Sequence, residues 1–190
     1  MAINQFIGKK IAMLRELKKI ETEDLAHKTG LSVKQLNSIE SGASLPSLGV
    51  LIRVTRALGI RIGTLLDDTI KEGPAVIRAN EHWSSASFST SENENREHLT
   101  FFSLAPNKAG RHMEPFIIDV IPNEKNRQSK SSHEGEEFIY VLEGEVTVHY
   151  GNDIFNLGIG DSIYLDSIVS HLVTTEKDKA RILGIVYVPV

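Results

Sequence analysis

Residues 131–145 read SSHEGEEFIYVLEGE, in which a histidine and three glutamates lead into an apolar run that ends at a glycine. A run rich in Phe, Ile, Tyr and Val that ends in a turn residue predicts a β-strand. His133 and Glu137 are four residues apart, and an even offset places two side chains on the same face of a strand. Imidazole and carboxylate are also ligand types for divalent metals. The stretch therefore predicts a strand that carries a candidate metal site.

The chain around this stretch alternates short β-rich runs with turns from residue 99 to the C-terminus. The runs are LTFFSL, EPFIIDVIP, EEFIYVLEGEVTVHYG, DSIYLD, SHLVTT and ARILGIVYVPV, and residues 151–153 (GND) provide a hairpin turn. Several short strands at this spacing predict a closed barrel or jelly roll.

The first seventy residues have a helical pattern instead. In IGKKIAMLRELKKI the apolar residues recur every three to four positions, with Lys and Arg between them. Two short helices follow, joined by KTGLS, which is the layout of a helix-turn-helix. Thr22 is the predicted N-cap of the first, and Ser32 with Gln35 predicts a capping box on the second. The second helix of such a motif enters the DNA major groove.

The side chains that would contact DNA follow from which residues of this helix are buried. With Leu36 and Ile39 facing inward, Lys34 can donate to guanine, Asn37 can pair with adenine, and Val33 can touch a thymine methyl. Phosphate contacts would come from polar residues at helix starts and turns. The predicted DNA-binding set is Thr22, Ser32, Val33, Lys34, Gln35, Asn37, Ser38 and Ser41.

The two halves differ in charge. Residues 1–70 carry ten Lys/Arg and seven Asp/Glu, a net charge of +3, whereas residues 71–190 carry eleven and eighteen, a net charge of −7. Gly73–Pro74 interrupts the helical pattern. We therefore predict a helical DNA-binding domain (1–70), a linker (71–80) and a β domain (81–190). The fold class is α+β multidomain, with an all-α bundle before an all-β barrel.

The composition narrows the chemistry. The chain has no cysteine, which excludes thiolate metal sites and leaves any metal to His and carboxylate ligands. It has no apolar run of membrane-spanning length and no signal-peptide layout at the N-terminus. We expect a cytoplasmic protein without a membrane partner.

The segment LRELKKIETEDLAHKTGLSVKQLNSIESGASLPSLGVLIRVTRALGI closely resembles the lambda-repressor-like DNA-binding domain of the XRE family. The matching positions are Leu25–Ala26, Gly30–Leu31–Ser32, Ile39–Glu40–Ser41–Gly42, Pro46 and Ala57–Leu58–Gly59. The resemblance covers residues 7–67 and implies binding to double-stranded DNA as a homodimer or higher oligomer. The alternative is a helical bundle that serves only as a dimerisation cap.

The β half resembles the cupin superfamily. The first cupin motif has two histidines, a glutamate and a glycine, and it maps onto Ser131, His133, Glu137 and Gly144. The second, a Gly-Asp that leads to a histidine, adds His171. Because serine stands at the first histidine position, the implied site has three ligands: His133, Glu137 and His171.

Three interpretations of this trio remain open. It could hold a divalent metal (Fe, Zn or Mn), since two His and one carboxylate with an open face suit such ions. It could be a metal-free hydrogen-bonding floor of an effector pocket, or a barrel remnant without a role. The predicted effector pocket adds four aromatic residues, Phe102, Phe116, Tyr140 and Tyr164.

Two functions fit this domain pair. A helix-turn-helix before a cupin resembles two-domain transcriptional regulators, in which the cupin is expected to sense a small-molecule effector. The alternative is a mononuclear non-heme iron oxygenase that resembles the hydroxypropylphosphonate epoxidase family, which has the same domain order and also lacks the first cupin histidine. In that family a lysine from the helical domain would correspond to Lys19. A phosphonate dianion needs several cationic or hydroxyl donors. Inward-facing cations are hard to find in this sequence, and Arg111 is the nearest candidate. We therefore favour a regulator and not an enzyme.

Overall fold

The computed structural model describes residues 3–67, 72–80, 99–122, 130–176 and 178–189. Within these residues, helices occupy the N-terminal part and strands the C-terminal part, which confirms the predicted fold class. Residues 68–71 and 81–98 lie outside the described residues, so the exact domain boundaries stay a prediction.

Among the described residues, five helices form the N-terminal domain, which we call the head. Their bounds are α1 Ile3–Leu17, α2 Thr22–Thr29, α3 Val33–Glu40, α4 Leu48–Ala57 and α5 Ile62–Leu66. Helix α4 is the most buried of these, because seven of its ten residues are buried. It contacts α2 and α5, and its apolar side chains join those of α1 and α3 in one core.

The helix-turn-helix forms as the local sequence pattern predicts, with one difference. Gly30 ends α2 at φ 69°, a left-handed conformation that favours glycine. The Ser32 side chain accepts a hydrogen bond from the Gln35 N–H while the Gln35 side chain accepts one from the Ser32 N–H, so the capping box is confirmed. The N-cap of α2 is Glu21 rather than Thr22, and it makes no side-chain cap bond. The N-cap prediction for Thr22 was wrong by one residue.

Helix α1 lies directly against α3. A Cβ on Gly8 would fall 2.1 Å from the Ile39 carbonyl oxygen, so only glycine permits this approach. Arg15 donates from Nε and Nη2 to the two carboxylate oxygens of Glu40 at 2.7 and 2.9 Å. Both side chains are about nine-tenths buried, at 12% and 10% exposure. This forked ion pair anchors the C-terminal end of α3 to α1.

In the described part of the C-terminal domain, which we call the barrel, eight strands form two sheets. Their bounds are β1 Leu99–Ser103, β2 Met113–Val120, β3 Glu136–Glu143, β4 Val146–Tyr150, β5 Asp153–Leu157, β6 Ser162–Asp166, β7 His171–Thr174 and β8 Ala180–Tyr187. The larger sheet has the order β1-β2-β8-β3-β6 and the smaller one β5-β4-β7. All described pairings are antiparallel.

Buried residues alternate with more exposed ones along β3 and β8, which defines the faces of the larger sheet. Ile139 and Val141 on β3 are buried, and their neighbours Tyr140 and Leu142 are exposed. Glu137 shares the inner face with Ile139 and Val141 because it lies two residues before Ile139. The inner face therefore combines an apolar core with one carboxylate.

The head is docked on the barrel through charged residues. Arg111 donates to Asp67, which ends α5, and to Glu114 on β2 at 2.7 Å. All three side chains are less than a tenth exposed. A second ion pair, Arg56–Glu134, crosses the same interface with about half of each side chain exposed. No helix among the described residues has the length and apolar character required to cross a membrane.

Candidate metal centre and nucleic-acid interface

The predicted trio is assembled from both sheets. Glu137 lies on β3 of the larger sheet, and His171 begins β7 of the smaller one. His133 lies three residues before β3 and not on the strand, which corrects the prediction. Gly135 explains the difference, since its φ of 109° ends the extended backbone and a Cβ there would meet the Tyr187 carbonyl oxygen at 2.0 Å.

Backbone hydrogen bonds hold the two histidines in place. The His133 N–H donates to the Ser167 carbonyl oxygen at 3.0 Å. Ser131 and His171 form an antiparallel bridge, with N–H to carbonyl distances of 2.7 and 2.9 Å. The loop before β3 is thereby held against the start of β7.

The ligand atoms converge. His133 Nε2 is 2.8 Å from Glu137 Oε1, and His171 Nε2 is 3.6 Å from the same oxygen. The two rings are nearly perpendicular, with centroids 5.6 Å apart. One ligand atom from each of the three residues lies within 4.8 Å of the others. Both histidines are 4% exposed, so the site is nearly closed to bulk water.

The second ring nitrogen of each histidine determines its orientation. His133 Nδ1 is 3.1 Å from the Glu134 carbonyl oxygen, and His171 Nδ1 is 2.8 Å from the Val169 carbonyl oxygen. A carbonyl oxygen can only accept, so each Nδ1 donates and carries a proton, in addition to any proton that Nε2 shares with Glu137. Deprotonated Nε2 atoms would then point their lone pairs at one centre, which is the arrangement of metal-ligating histidines.

The electrostatics also favour an anionic carboxylate. Burial alone would raise the pKa of Glu137, but hydrogen bonds from His133 and His171 and their charge outweigh it and lower the pKa to about 2. Burial lowers the pKa of His171, and the hydrogen bond and charge of Glu137 raise it above its ordinary value. A cation between the three groups would replace the protons that now hold them together.

The donor set fits a divalent metal. Two neutral imidazoles and one carboxylate on a shared face are the ligands of Fe(II), Mn or Zn sites that keep open positions. Next to the trio, the Ser167 Oγ is buried and has no hydrogen-bond partner among the described residues. A buried hydroxyl in this condition is a reason to expect a further group nearby.

One contact with the site comes from the head and was missed by the sequence analysis. Gly49, in the first turn of α4, lies so close to the barrel that a Cβ on it would be 2.7 Å from Ser131 Oγ and 3.7 Å from the His133 ring. A glycine in the first turn of a helix is a weak signal by itself. Only the packing of the two domains reveals its neighbours.

The predicted effector pocket does not form as a group. Phe116 points inward and is fully buried, with its ring edge-on to Phe101. Phe102, Tyr140 and Tyr164 lie on the outer face of the larger sheet. Phe102 pairs with Ile117, Ile117 with Leu183, and Leu183 with Tyr140, so these side chains share one face. Tyr164 pairs with Phe138, which lies on the same face as Tyr140. Tyr164 is 64% exposed and donates to Glu136 at 2.5 Å. The prediction that these three residues surround the trio was therefore wrong.

The two cations considered for a phosphonate substrate lie elsewhere. Arg111 is already neutralised by Asp67 and Glu114 at the domain interface. Lys19 lies in the exposed turn between α1 and α2 with φ 56°. Among the described head residues, Gly49 lies beside the trio, since a Cβ on it would be 3.7 Å from the His133 ring.

Most of the predicted DNA-reading residues are exposed on α3 or beside it. Ser32, Lys34, Gln35 and Asn37 are exposed on α3 or at its N-cap, and Leu36 and Ile39 are buried as predicted. Val33 is 37% exposed, Ser38 and Thr22 are half-buried, and Ser41 is exposed beyond the end of α3. Their roles on DNA stay a prediction.

Comparison with family models assigns both halves of the chain. The model described as Helix-turn-helix (HTH_3) matches residues 11–65, and the model described as Cupin domain (Cupin_2) matches residues 116–186. The chain thus carries an XRE-type helix-turn-helix domain followed by a cupin domain.

Relatives of two kinds cover nearly the whole chain. The crystal structure of an HTH_3 family transcriptional regulator from Vibrio cholerae is 23% identical and has a TM-score of 0.71, with 98% of this chain and 97% of that chain covered. The (S)-2-hydroxypropylphosphonic acid epoxidase of Streptomyces wedmorensis is 26% identical over 176 residues, which is 86% of this chain and 85% of the epoxidase. A structure of Fe(II)-HppE with an alternative substrate is 22% identical with a TM-score of 0.52, over 98% and 99% of the two chains.

Proposed function

We propose that this protein is a sequence-specific DNA-binding transcriptional regulator whose cupin domain holds a divalent metal and senses a small-molecule effector. The observation that carries the proposal is the exposed polar surface of α3. Lys34 and Asn37 project from a helix that is capped at one end by Ser32 and anchored at the other by Glu40. A rigid helix with free hydrogen-bonding side chains is what base recognition in the major groove requires.

The surroundings of the metal site support a sensor more than an enzyme. The trio is nearly closed to solvent, the head lies directly over Ser131 and His133, and Arg111 is occupied by two carboxylates. A metal bound by His133, Glu137 and His171 would supply Lewis acidity or a fixed positive charge to which an anionic effector could bind. The chain's own residues would orient it through the two Nδ1–H bonds.

We also propose that the regulator is a homodimer that pairs through the outer face of the larger sheet. This face carries apolar side chains on adjacent strands, including Met113, Tyr140, Leu142, Tyr164 and Tyr187, and each of these is at least a third exposed. An exposed apolar face of this kind is typical of an interaction surface, and a standard interface buries about 800 Å² per partner. A two-fold dimer would present two heads to a palindromic operator.

The DNA-binding proposal is tested by selecting fragments from a random DNA library with the purified protein. We expect one enriched palindromic sequence, bound with a steep salt dependence. Lys34→Ala should weaken binding by about 1–3 kcal/mol at one base position. Lys130→Ala is the matched control, because it removes the same charge from the barrel, where Lys130 bonds the Gly151 carbonyl oxygen. Absence of any enriched sequence would refute the regulator.

The dimer proposal has its own measurement. Sedimentation should give twice the chain mass for the wild type, and Tyr164→Glu should shift it to the monomer while the circular dichroism spectrum is retained. A wild type that sediments as a monomer at micromolar concentration would contradict the dimer.

A second candidate function is a mononuclear non-heme iron oxygenase. Its support is the two-His, one-carboxylate trio together with the likeness to the epoxidase over both domains. The test is Fe(II)-dependent oxygen consumption with (S)-2-hydroxypropylphosphonic acid, which should vanish in Glu137→Ala. Turnover of this kind would favour the enzyme, and iron binding without oxygen consumption would favour the sensor.

A further inference from the structure

One contact beside the metal site comes from the head and reaches Ser131 and His133. Most of the trio's surroundings belong to the barrel, but Gly49 belongs to the head, where it is buried in the first turn of α4. The nearest atoms to a Cβ at this position are Ser131 Oγ at 2.7 Å and His133 Cδ2 at 3.7 Å. The backbone of α4 therefore lies against the residue that stands in for the missing cupin histidine.

Both residues at this contact are small, and the geometry gives a reason. An imidazole at position 131 would extend several ångströms beyond the serine hydroxyl, into space that α4 occupies. A side chain at position 49 would meet the hydroxyl itself. We propose that Gly49 and Ser131 are a matched pair that lets the head close over the metal site, so that helix α4 is part of the site and metal binding is coupled to the docking of the head.

The path from α4 to the DNA-reading surface is short. Arg53 lies one helical turn after Gly49, and its Nε donates to the Thr29 carbonyl oxygen at 2.9 Å. Thr29 is the last residue of α2, immediately before the Gly30 turn that leads to α3. Because α4 is part of the head core, a shift of α4 moves the helix-turn-helix as one body instead of bending it.

Coupling of this kind has a thermodynamic consequence. If the metal binds more tightly when the head is docked, then the metal stabilises the docked head by the same factor. In a dimer, docking would determine the spacing of the two reading helices and hence the fit to an operator. The inference rests on the proposed function for its consequence on DNA, but the coupling of metal and head can be measured without DNA.

The test uses Gly49→Ala, Gly49→Leu, Ser131→Ala and the double variant Gly49→Ala/Ser131→Ala. Zn²⁺ affinity is measured by competition with a chromophoric chelator, and head docking by the distance between spin labels on the exposed Lys9 and Lys130. Gly49→Leu should weaken Zn²⁺ binding about tenfold and lengthen the label distance. Leucine forms helices well, so a folding defect in α4 is not expected.

The double variant separates this contact from general damage. Gly49→Ala introduces a methyl group that conflicts with the Ser131 hydroxyl, and Ser131→Ala removes that hydroxyl. Zn²⁺ affinity should therefore return to near the Ser131→Ala value in the double variant. Ser132→Ala is the control, because the neighbouring Ser132 is half-buried and its side chain donates to the Ile168 carbonyl oxygen instead.

The possible failures are distinguishable. If Gly49→Leu binds Zn²⁺ as tightly as the wild type and keeps its label distance, the coupling is refuted whether or not the protein binds DNA. If the effects of Gly49→Ala and Ser131→Ala simply add, the matched pair is refuted. If no operator is found while Gly49→Leu still weakens Zn²⁺ binding, the regulator fails and the two-domain metal site stands.

Discussion

Replacing Arg111 by leucine is expected to disconnect the two domains. Arg111 is the centre of a buried network in which it donates to Asp67 at the end of α5 and to Glu114 on β2. It also donates from Nη1 to the Lys108 carbonyl oxygen at 3.2 Å. Leucine would leave two buried carboxylates facing each other without a cation.

The size of the effect follows from the burial. The side chains of Arg111, Asp67 and Glu114 are 7%, 8% and 4% exposed. Removing one partner from a buried, hydrogen-bonded ion pair costs about 3–5 kcal/mol of unfolding free energy, because the remaining charge is left uncompensated. The exposed Arg56–Glu134 pair at the same interface should contribute only about 0–1 kcal/mol, because water solvates both groups.

Glu114 makes this effect depend on pH. Burial raises the pKa of Glu114 from 4.5 to about 7, although the charge and the hydrogen bond of Arg111 oppose the rise. A carboxyl whose pKa is raised on folding adds stability that is complete below its unfolded pKa and is lost as the pH rises through its folded pKa. Without Arg111 the pKa of Glu114 should rise further, so the cost of Arg111→Leu should be larger in alkaline than in mildly acidic buffer.

The assay is urea unfolding followed by circular dichroism at about pH 5.5 and pH 8, with Arg56→Ala as the matched control. We expect Arg111→Leu to lose several kcal/mol at pH 8, less at pH 5.5, and to unfold in two transitions. Arg56→Ala should resemble the wild type. A loss below about 1 kcal/mol at pH 8, equal to that of Arg56→Ala, would refute the buried network.

Further outcomes are expected for the metal site and for the helices of the head. Glu137→Gln should abolish stoichiometric Zn²⁺ or Fe²⁺ binding in elemental analysis. The metal affinity of the wild type should fall as the pH drops through the raised pKa of His171, because a proton then occupies Nε2. A metal affinity that does not change with pH would contradict this. Ser32→Ala should cost about 0.5–2 kcal/mol in thermal unfolding by removing one side of the capping box, and no loss would contradict a role for the cap. Gly8→Ala should destabilise the head and weaken operator binding, because the new methyl group meets the Ile39 carbonyl oxygen at 2.1 Å; wild-type operator affinity would show that α1 does not position α3.

The helix-turn-helix was predicted in detail because its signals are local. The Ser32–Gln35 capping box and the Gly30 turn each involve residues a few positions apart, and the hydrogen bonds between them form whatever surrounds the helix. Thr22 was misplaced for the same reason, since Glu21 and Thr22 are both compatible with a helix start and no side-chain bond decides between them.

The barrel was predicted less completely, because both faces of its larger sheet are apolar. Tyr140 alternates with Ile139 and Val141, and Tyr164 with Ile163 and Leu165, so the pattern does not say which side is the core. Register and burial place both tyrosines outside. The position of His133 depended on Gly135, whose φ of 109° interrupts the extended backbone just before β3 begins.

The sequence by itself determined the two domain types, helix α3 with its capping box, and the grouping of His133, Glu137 and His171. These depend on periodicity, caps and motif spacing, which are properties of short stretches of chain. Only the tertiary structure decided that Gly49 faces Ser131 and that Arg111 is bound by Asp67, because residues 82 and 44 positions apart meet there. Such contacts leave no periodic trace in the sequence; they follow from how two folded surfaces fit together.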